Sequence, residues 1–438
     1  MIVGDTFTST KQRVKAAATN VKPLSVTGLP QSLSVFELLV VFTFATLLMH
    51  SRMPDRLDGF LWAEDGVIFV AQAYSRGIHS IFQPYAGYLH VLPRLITWAY
   101  SHLGNPESIP KAFAWITTIL TGCSVTYIGA VASRYLPRLA AVALALTPLA
   151  VLNSGEVWTS VTNLQWVLAP LVAVMLWEMT VAELNTDVRS KITIAKAIVL
   201  LVLMMTGPFG VIFGTFAIAA IARRIASRKR TPDRARMLAF LSGFVVQGCV
   251  LAFCPSRYKI PPLHPITDFV HFPWVSGLLR FMLIDFAGVR SALMPRPPVW
   301  IVAAILLTGV VIVTAYRSGT YWRSVSLGML AVALMLWVLG VVRSDAPDMD
   351  VATMLHAQRY SYLPYVFISW SLIVNAATAD QAWVKSLSLL VVGMAFLGSI
   401  AMWQCPPVPQ AHIENIGGGS YLVHMPPSDK WNFTFTVH

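Results

Sequence analysis

The chain has 438 residues, 56% hydrophobic and 12% charged, with a mean hydropathy of +0.64, whereas ordinary globular domains carry about 25% charged residues. That composition excludes a soluble enzyme and describes a polytopic membrane protein. The net charge of +12 does not indicate nucleic acid, because the cations gather in short stretches between apolar runs, where they mark topology.

Residues 1–34 form a polar arm carrying Lys11, Arg13, Lys15 and Lys22. No small-residue cleavage site follows, so the first apolar run reads as a retained anchor behind a cytoplasmic arm. Apolar runs then follow at about 35–50, 112–132, 139–152, 164–182, 192–205, 208–222, 237–254, 299–316, 324–342, 361–378 and 386–403. Many approach the roughly 20 residues a helix needs to cross about 30 Å of hydrocarbon. Leu, Val, Ala and Ile are continuous in them rather than alternating, which disfavours a β-barrel. The fold expected is an all-α polytopic membrane protein with about 11 transmembrane helices.

Arg134 and Arg138, then Arg189, Lys191 and Lys196, then the tract from Arg223-Arg224 to Arg236 fall on the side of the arm. This bias predicts a cytoplasmic amino end and, after an odd number of crossings, a periplasmic carboxyl end. The 223–236 tract reads as a topology determinant in preference to an anionic-lipid contact. The runs flanking Thr206-Gly207-Pro208-Phe209-Gly210 have a second reading as one broken helix. Merging them would put the basic tract outside, so charge favours two spans.

The outer segments longer than ordinary connectors are about 51–111, 255–298 and 343–360, with a tail over 404–438. The first holds an amphipathic stretch from Val67 to Ile78 and an apolar, aromatic one from Leu89 to Leu103, both expected as interfacial helices. The second is rich in proline, and Trp274 to Val289 within it reads as re-entrant or interfacial. The tail is expected as a flexible turn at Gly417-Gly418-Gly419 and a short strand-like piece. Cys123, Cys249, Cys254 and Cys405 have no metal-ligand spacing and read as packing residues.

Chemistry concentrates in the first outer segment. Trp62-Ala63-Glu64-Asp65-Gly66 sets two adjacent carboxylates beside a membrane boundary, where acids are scarce without a reason. One of them is suited to take a proton from an acceptor hydroxyl, while its neighbour orients substrate or helps hold a divalent cation. Next come Tyr85, Tyr88, His90 and Arg94. The tyrosines are equally suited to an interfacial belt and the histidine to a structural role, while Arg94 offers a fork for phosphate oxygens. The segment between the third and fourth runs supplies Asn153, Glu156, Trp158, Thr162, Asn163, Gln165 and Trp166. Amides, a carboxylate and indoles suit sugar hydroxyls and C–H faces, with helix capping as the plainer role of Asn153, Thr162 and Asn163. Arg359-Tyr360 opens a late span, where the arginine either binds phosphate or snorkels toward headgroups. Phosphate-loop, zinc-protease and nucleophile-elbow patterns do not occur.

The long first span, the outer loop opening on an acidic pair, the interfacial helices and about ten further spans together resemble the GT-C superfamily of integral-membrane glycosyltransferases. The resemblance implies sugar transfer from a polyprenyl-phosphate donor by direct displacement. It also implies a catalytic base at Asp65, with Glu64 the near-equal candidate. The Arg359-Tyr360 pair resembles a motif of that superfamily in which the cation faces the lipid phosphate; for such a donor the residue chemistry reads Arg94 as a further phosphate ligand, with His90 ranked lower, and Tyr85, Tyr88, Glu156, Asn163, Gln165 and Tyr360 as sugar or acceptor contacts. The order Glu-Asp departs from the Asp-Asp and Asp-x-Asp of some relatives and leaves a metal role open. Trp-Ala-Glu-Asp-Gly, Pro-Tyr-Ala-Gly-Tyr-Leu-His and Pro93-Arg94 together look like bacterial members that decorate surface polysaccharide. That implies a bacterial inner-membrane location and a lipopolysaccharide O-antigen or related polysaccharide acceptor, with pilin or another exported protein as the other acceptor class. The partners implied are the lipid-linked donor, a glycan or protein acceptor and membrane lipids, without nucleic acid. The rival class is a transporter or flippase of lipid-linked sugars, which predicts ionisable residues near mid-membrane.

Overall fold

The computed structural model describes residues 32–151, 155–181, 190–227, 233–254, 297–343, 359–401, 403, 405, 407–426 and 429–437. The expectations for the 1–31 arm, the proline-rich 255–296 segment, residues 344–358 and Asn153 lie outside them.

Each apolar run carries a helix. They are α1 (Val35–Arg52), α4 (Ile109–Ala132), α5 (Arg138–Ala150), α6 (Leu164–Val181), α7 (Ser190–Met204), α8 (Phe209–Ala226), α9 (Arg234–Phe253), α10 (Pro297–Arg317), α11 (Thr320–Arg343), α12 (Arg359–Thr378) and α13 (Ala382–Ala401). Among the described residues six of them, α1, α4, α8, α9, α11 and α13, are long and apolar enough to cross a membrane. Large apolar side chains stay exposed on the outside of the bundle, Phe36, Leu39 and Leu47 on α1 and Leu238, Val245 and Phe253 on α9. Water would not tolerate that surface, but lipid does. Helix α1 starts sharply because the Ser34 side chain accepts the Glu37 N–H at 3.2 Å while the Glu37 carboxylate accepts the Ser34 N–H at 2.7 Å, a reciprocal cap.

The first loop is helical, as expected, but in short and varied turns. A π-helical turn over Asp65–Val70 leads into α2 (Ala71–Arg76), a 3₁₀ stretch covers Gly77–Phe82, and α3 spans Val91–Leu103. Residues 85–88 form a tight hairpin. Tyr85 N–H donates to Tyr88 O at 2.9 Å and Tyr88 N–H to Tyr85 O at 3.2 Å, with Ala86 at φ 53° and Gly87 at φ 86°. Positive φ at both central residues is the mirror-image turn that suits a two-residue hairpin loop.

Charges gather at one end of the bundle. Near the end of α6, the Glu178 carboxylate accepts from Tyr127 Oη at 2.7 Å, Arg134 at 2.9 Å and Lys196 at 2.8 Å, with Arg236 at 3.8 Å. Lys196, midway along α7, donates to the Glu178 carboxylate, while Arg224, in the last turn of α8, donates to Thr180 O. Both helices therefore reach the same end of α6, so α7 and α8 fold back on each other and are not one broken helix. The reversal sits at Gly207, whose φ of +83° favours glycine. At the far end of the bundle this turn meets the first loop: Gly207 N–H donates to Leu89 O at 2.9 Å and Val91 N–H to Met205 O at 3.1 Å. Gln247 of α9 closes the junction by donating to Gly207 O at 2.8 Å and accepting the Leu89 N–H at 3.1 Å.

The tail is more structured than one strand-like piece. It forms an antiparallel sheet of β1 (His412–Gly417), β2 (Ser420–His424) and β3 (Phe433–Thr436), in that order. Gly417, Gly418 and Gly419, all at positive φ, make the first turn. The sheet lies against the first loop, where Phe435 stacks on Tyr74 at 4.3 Å and Ala411 N–H donates to Gly59 O at 3.2 Å. Gly66 makes this contact feasible, since a Cβ there would lie 2.4 Å from Met425 Sδ and 2.8 Å from Phe433 Cε1.

Candidate functional site

Adjacent positions on a helical turn point about 100° apart, and the two neighbouring acids accordingly have different surroundings. Asp65 is fully buried. Its Oδ1 accepts from Thr162 N at 2.7 Å, Thr162 Oγ1 at 2.6 Å and Ser160 Oγ at 3.1 Å, and its Oδ2 from Trp62 N at 3.0 Å. Burial raises its pKa to about 6, against the pull of the Thr162, Trp62 and Ser160 hydrogen bonds. It is a clamp between the first loop and the 160–162 segment. Beside the clamp, Thr159 sits at φ 61°, an outlier for a β-branched residue and of the kind that clusters at functional sites.

Glu64 is only half-buried. Its Oε1 accepts from Tyr85 Oη at 3.2 Å, and its Oε2 has no hydrogen-bond partner among the described residues. Of the two acids it is the one with an oxygen left for a proton.

Of the expected phosphate ligands, Arg359 carries a charge that Glu64 helps to stabilise. It opens α12 and donates to Glu156, from the guanidinium to Oε1 and from its backbone N–H to Oε2 at 3.2 Å. Burial works against its charge, but Glu156, then Tyr360 and Glu64, raise its pKa above the ordinary arginine value. Arg94 is enclosed, donating to Gln72 Oε1 at 2.7 Å with its guanidinium 4.8 Å over the Phe69 ring. Burial, helped by Arg76, lowers its pKa to about 10. His90 is packed among Phe69, Tyr85 and Tyr88, with ring centroids 4.7 to 5.7 Å away. Burial and then Arg94 push its pKa down to about 3, against a weaker upward pull from the Tyr85 backbone. The ring is therefore neutral at physiological pH and brings no positive charge to a phosphate.

The residues expected to meet sugar divide in two. Glu156 is paired with Arg359, and Asn163 Nδ2 donates to Glu156 O at 2.8 Å, which fixes the loop carrying that carboxylate. Gln165 Nε2 lies 3.4 Å from Tyr88 Oη, while its Oε1 is buried without a partner among the described residues. Tyr360 meets the Trp166 ring edge-on at 5.4 Å, and Trp166 meets Phe209 at 4.7 Å. The result is an aromatic wall beside Arg359, of the sort that covers a sugar's C–H face. No group of three His, Cys, Asp or Glu side chains among the described residues is arranged to hold a metal ion.

Several supporting residues escaped sequence reasoning. Arg56 donates to Gly155 O, and Arg52 donates to Leu149 O at 2.6 Å while lying 4.2 Å over the Trp158 ring. Both anchor the strip that carries Glu156. Ser160, Gln72, Gln247 and the tail contacts of Gly66 were likewise invisible, because each is defined by a partner distant in sequence. No family model, curated protein or solved structure matches the chain.

Proposed function

We propose that the protein is a GT-C-type membrane glycosyltransferase that moves one sugar from a polyprenyl-phosphate donor to an acceptor on the non-cytoplasmic side. Its eleven helices would each cross the bilayer, with the basic Glu178 end cytoplasmic and the Glu64 end periplasmic. The observation that carries this reading is that, at the end away from the positive cluster, Glu64, with a buried carboxylate oxygen that lacks a hydrogen-bond partner among the described residues, lies within electrostatic reach of Arg359, which is paired with Glu156 and adjoins the Trp166–Tyr360 wall. These groups come from three separate segments and supply a base, a phosphate-binding cation and a sugar-binding surface.

In the proposed reaction the acceptor hydroxyl attacks the anomeric carbon and its proton passes to Glu64 Oε2. The bond from that carbon to the phosphate oxygen breaks, and its electron pair leaves with the polyprenyl phosphate. Arg359 stabilises the charge that grows on the leaving oxygen. A single displacement inverts the anomeric centre. Asp65 acts by holding the loop that aims Glu64. The acceptor proposed is surface polysaccharide or O-antigen, in a bacterial inner membrane.

A flippase would be better served by ionisable groups at mid-span. Among the described residues, Glu178, Arg224 and Arg236 instead lie near the ends of their helices, and the Lys196 side chain reaches that same end to meet Glu178. The deciding experiment incubates the purified protein in nanodiscs with a panel of labelled polyprenyl-phosphate hexoses and pentoses, with and without envelope glycan. Wild-type protein should release polyprenyl phosphate and Glu64→Gln should not. Absence of release from every donor by wild type would refute the assignment.

A further inference from the structure

The tail touches both halves of the site. On one side it meets the loop that carries Glu64 at three places. Ahead of Glu64, Ala411 N–H donates to Gly59 O at 3.2 Å. Just after it, Met425 and Phe433 close over Gly66, and farther along, Phe435 stacks on Tyr74 at 4.3 Å. Met425 is buried, and its N–H donates to Asn432 Oδ1 at 2.9 Å, which ties the chain leaving β2 to the chain entering β3.

On the other side the start of the tail is fixed to the strip that carries Glu156. Cys405 N–H donates to Arg52 O at 3.0 Å and Trp403 Nε1 donates to Ser51 Oγ at 3.0 Å. Cys405 also lies so near Gly155 that a Cβ on that glycine would stand 2.8 Å from the sulfur. Gly155 directly precedes Glu156, whose carboxylate pairs with Arg359. The turn between these anchors needs support. Asp65–Val70 is π-helical, a rare form met mostly as single turns, often at functional sites. Hydrogen bonds from Thr162 and Ser160 hold it through Asp65, and the tail packs on the next residue.

We propose that Met425 and Phe433 are positioning residues, and that with the Cys405 anchor they make the tail a clasp fixing the Glu64 turn relative to the Glu156–Arg359 pair, which rests on the transferase reading because Glu64 is the group they aim. They act through Gly66 and not by contact with substrate. A displacement of about 1 Å at a reacting group costs up to about 10²-fold in rate, so a loosened clasp registers in turnover before it registers in donor binding.

The test uses the full chain in nanodiscs and a labelled polyprenyl-phosphate sugar that wild type turns over. Met425→Ala empties the space over Gly66 and Met425→Leu refills it. In Met425→Ala, amide hydrogen exchange over residues 62–71 should quicken about tenfold, and kcat should fall about tenfold with KM for the donor unchanged. Met425→Leu should restore both, and Ile416→Ala, exposed on β1, should match wild type in both. Unfolding midpoints are measured alongside; if Met425→Ala damages the fold, Phe433→Leu decides by the same two readouts. A tail that only adds stability would lower the midpoint while exchange over 62–71 and kcat per folded molecule keep their wild-type values, and that result overturns the clasp. Faster exchange with unchanged kcat would overturn the positioning role. If wild type releases polyprenyl phosphate from no donor, the transferase reading fails by itself, and exchange over 62–71 still decides whether the tail holds the turn.

Discussion

Replacing Asp65 by Asn and Glu64 by Gln should each leave the protein about as stable as wild type at neutral pH, but with very different turnover. The ionised Asp65 side chain is buried with a pKa raised from 3.8 to about 6, which costs the fold about 3 kcal/mol at neutral pH. Asparagine removes that cost and keeps an oxygen for Thr162 and Ser160, but turns its amide toward the Trp62 N–H. One stranded donor costs about 1–3 kcal/mol, so the two effects nearly cancel. Asp65→Asn should therefore fold with an unfolding free energy within about 2 kcal/mol of wild type and retain transfer within about tenfold. Its pH dependence should differ. Because the folded pKa lies above the unfolded one, the folded protein keeps a proton that the unfolded chain releases between pH 3.8 and about 6. Wild-type stability thus falls as pH rises through that window and is level above it, while the variant should lack this component. Glu64→Gln should leave the unfolding midpoint unchanged and lower release of polyprenyl phosphate by about 10²–10⁴. Thermal unfolding between pH 4 and 7 and donor turnover in nanodiscs provide the readouts. If Asp65→Asn is inactive with a wild-type midpoint while Glu64→Gln turns over normally, the base is Asp65 and the division of roles proposed here is wrong.

Other outcomes follow from the same geometry. Gly66→Val would drive a side chain into Met425 and Phe433; it should lower stability by about 1–3 kcal/mol or release the tail sheet, which limited proteolysis between 407 and 437 would detect. Ala86→Gly should raise the unfolding free energy by up to about 1 kcal/mol, since alanine at φ 53° is strained and glycine is not. Glu156→Gln leaves the partly buried Arg359 without its counter-charge. A double-mutant cycle with Arg359→Gln should give a coupling of about 1–3 kcal/mol, and a value near zero would remove the pair from the site's framework.

The sequence by itself determined where the helices are and which polar residues stand out against them. In hydrocarbon a backbone has to satisfy its own hydrogen bonds, so each continuous apolar run carries a helix, and Ser34 with Glu37 marks the first boundary within one turn. The acidic pair, Arg359 and Glu156 stood out because charges beside apolar runs need a reason. Only the tertiary structure decided what each of them touches. Asp65 became a clamp through Thr162, 97 residues away, and Glu156 found Arg359 across 203 residues. Local pattern carries no information about such pairings. The same holds for His90, a candidate phosphate ligand in the sequence, whose packing among three aromatic rings is set by the fold. It holds for the tail, a few alternating residues whose sheet forms only by packing on Tyr74 and Gly66.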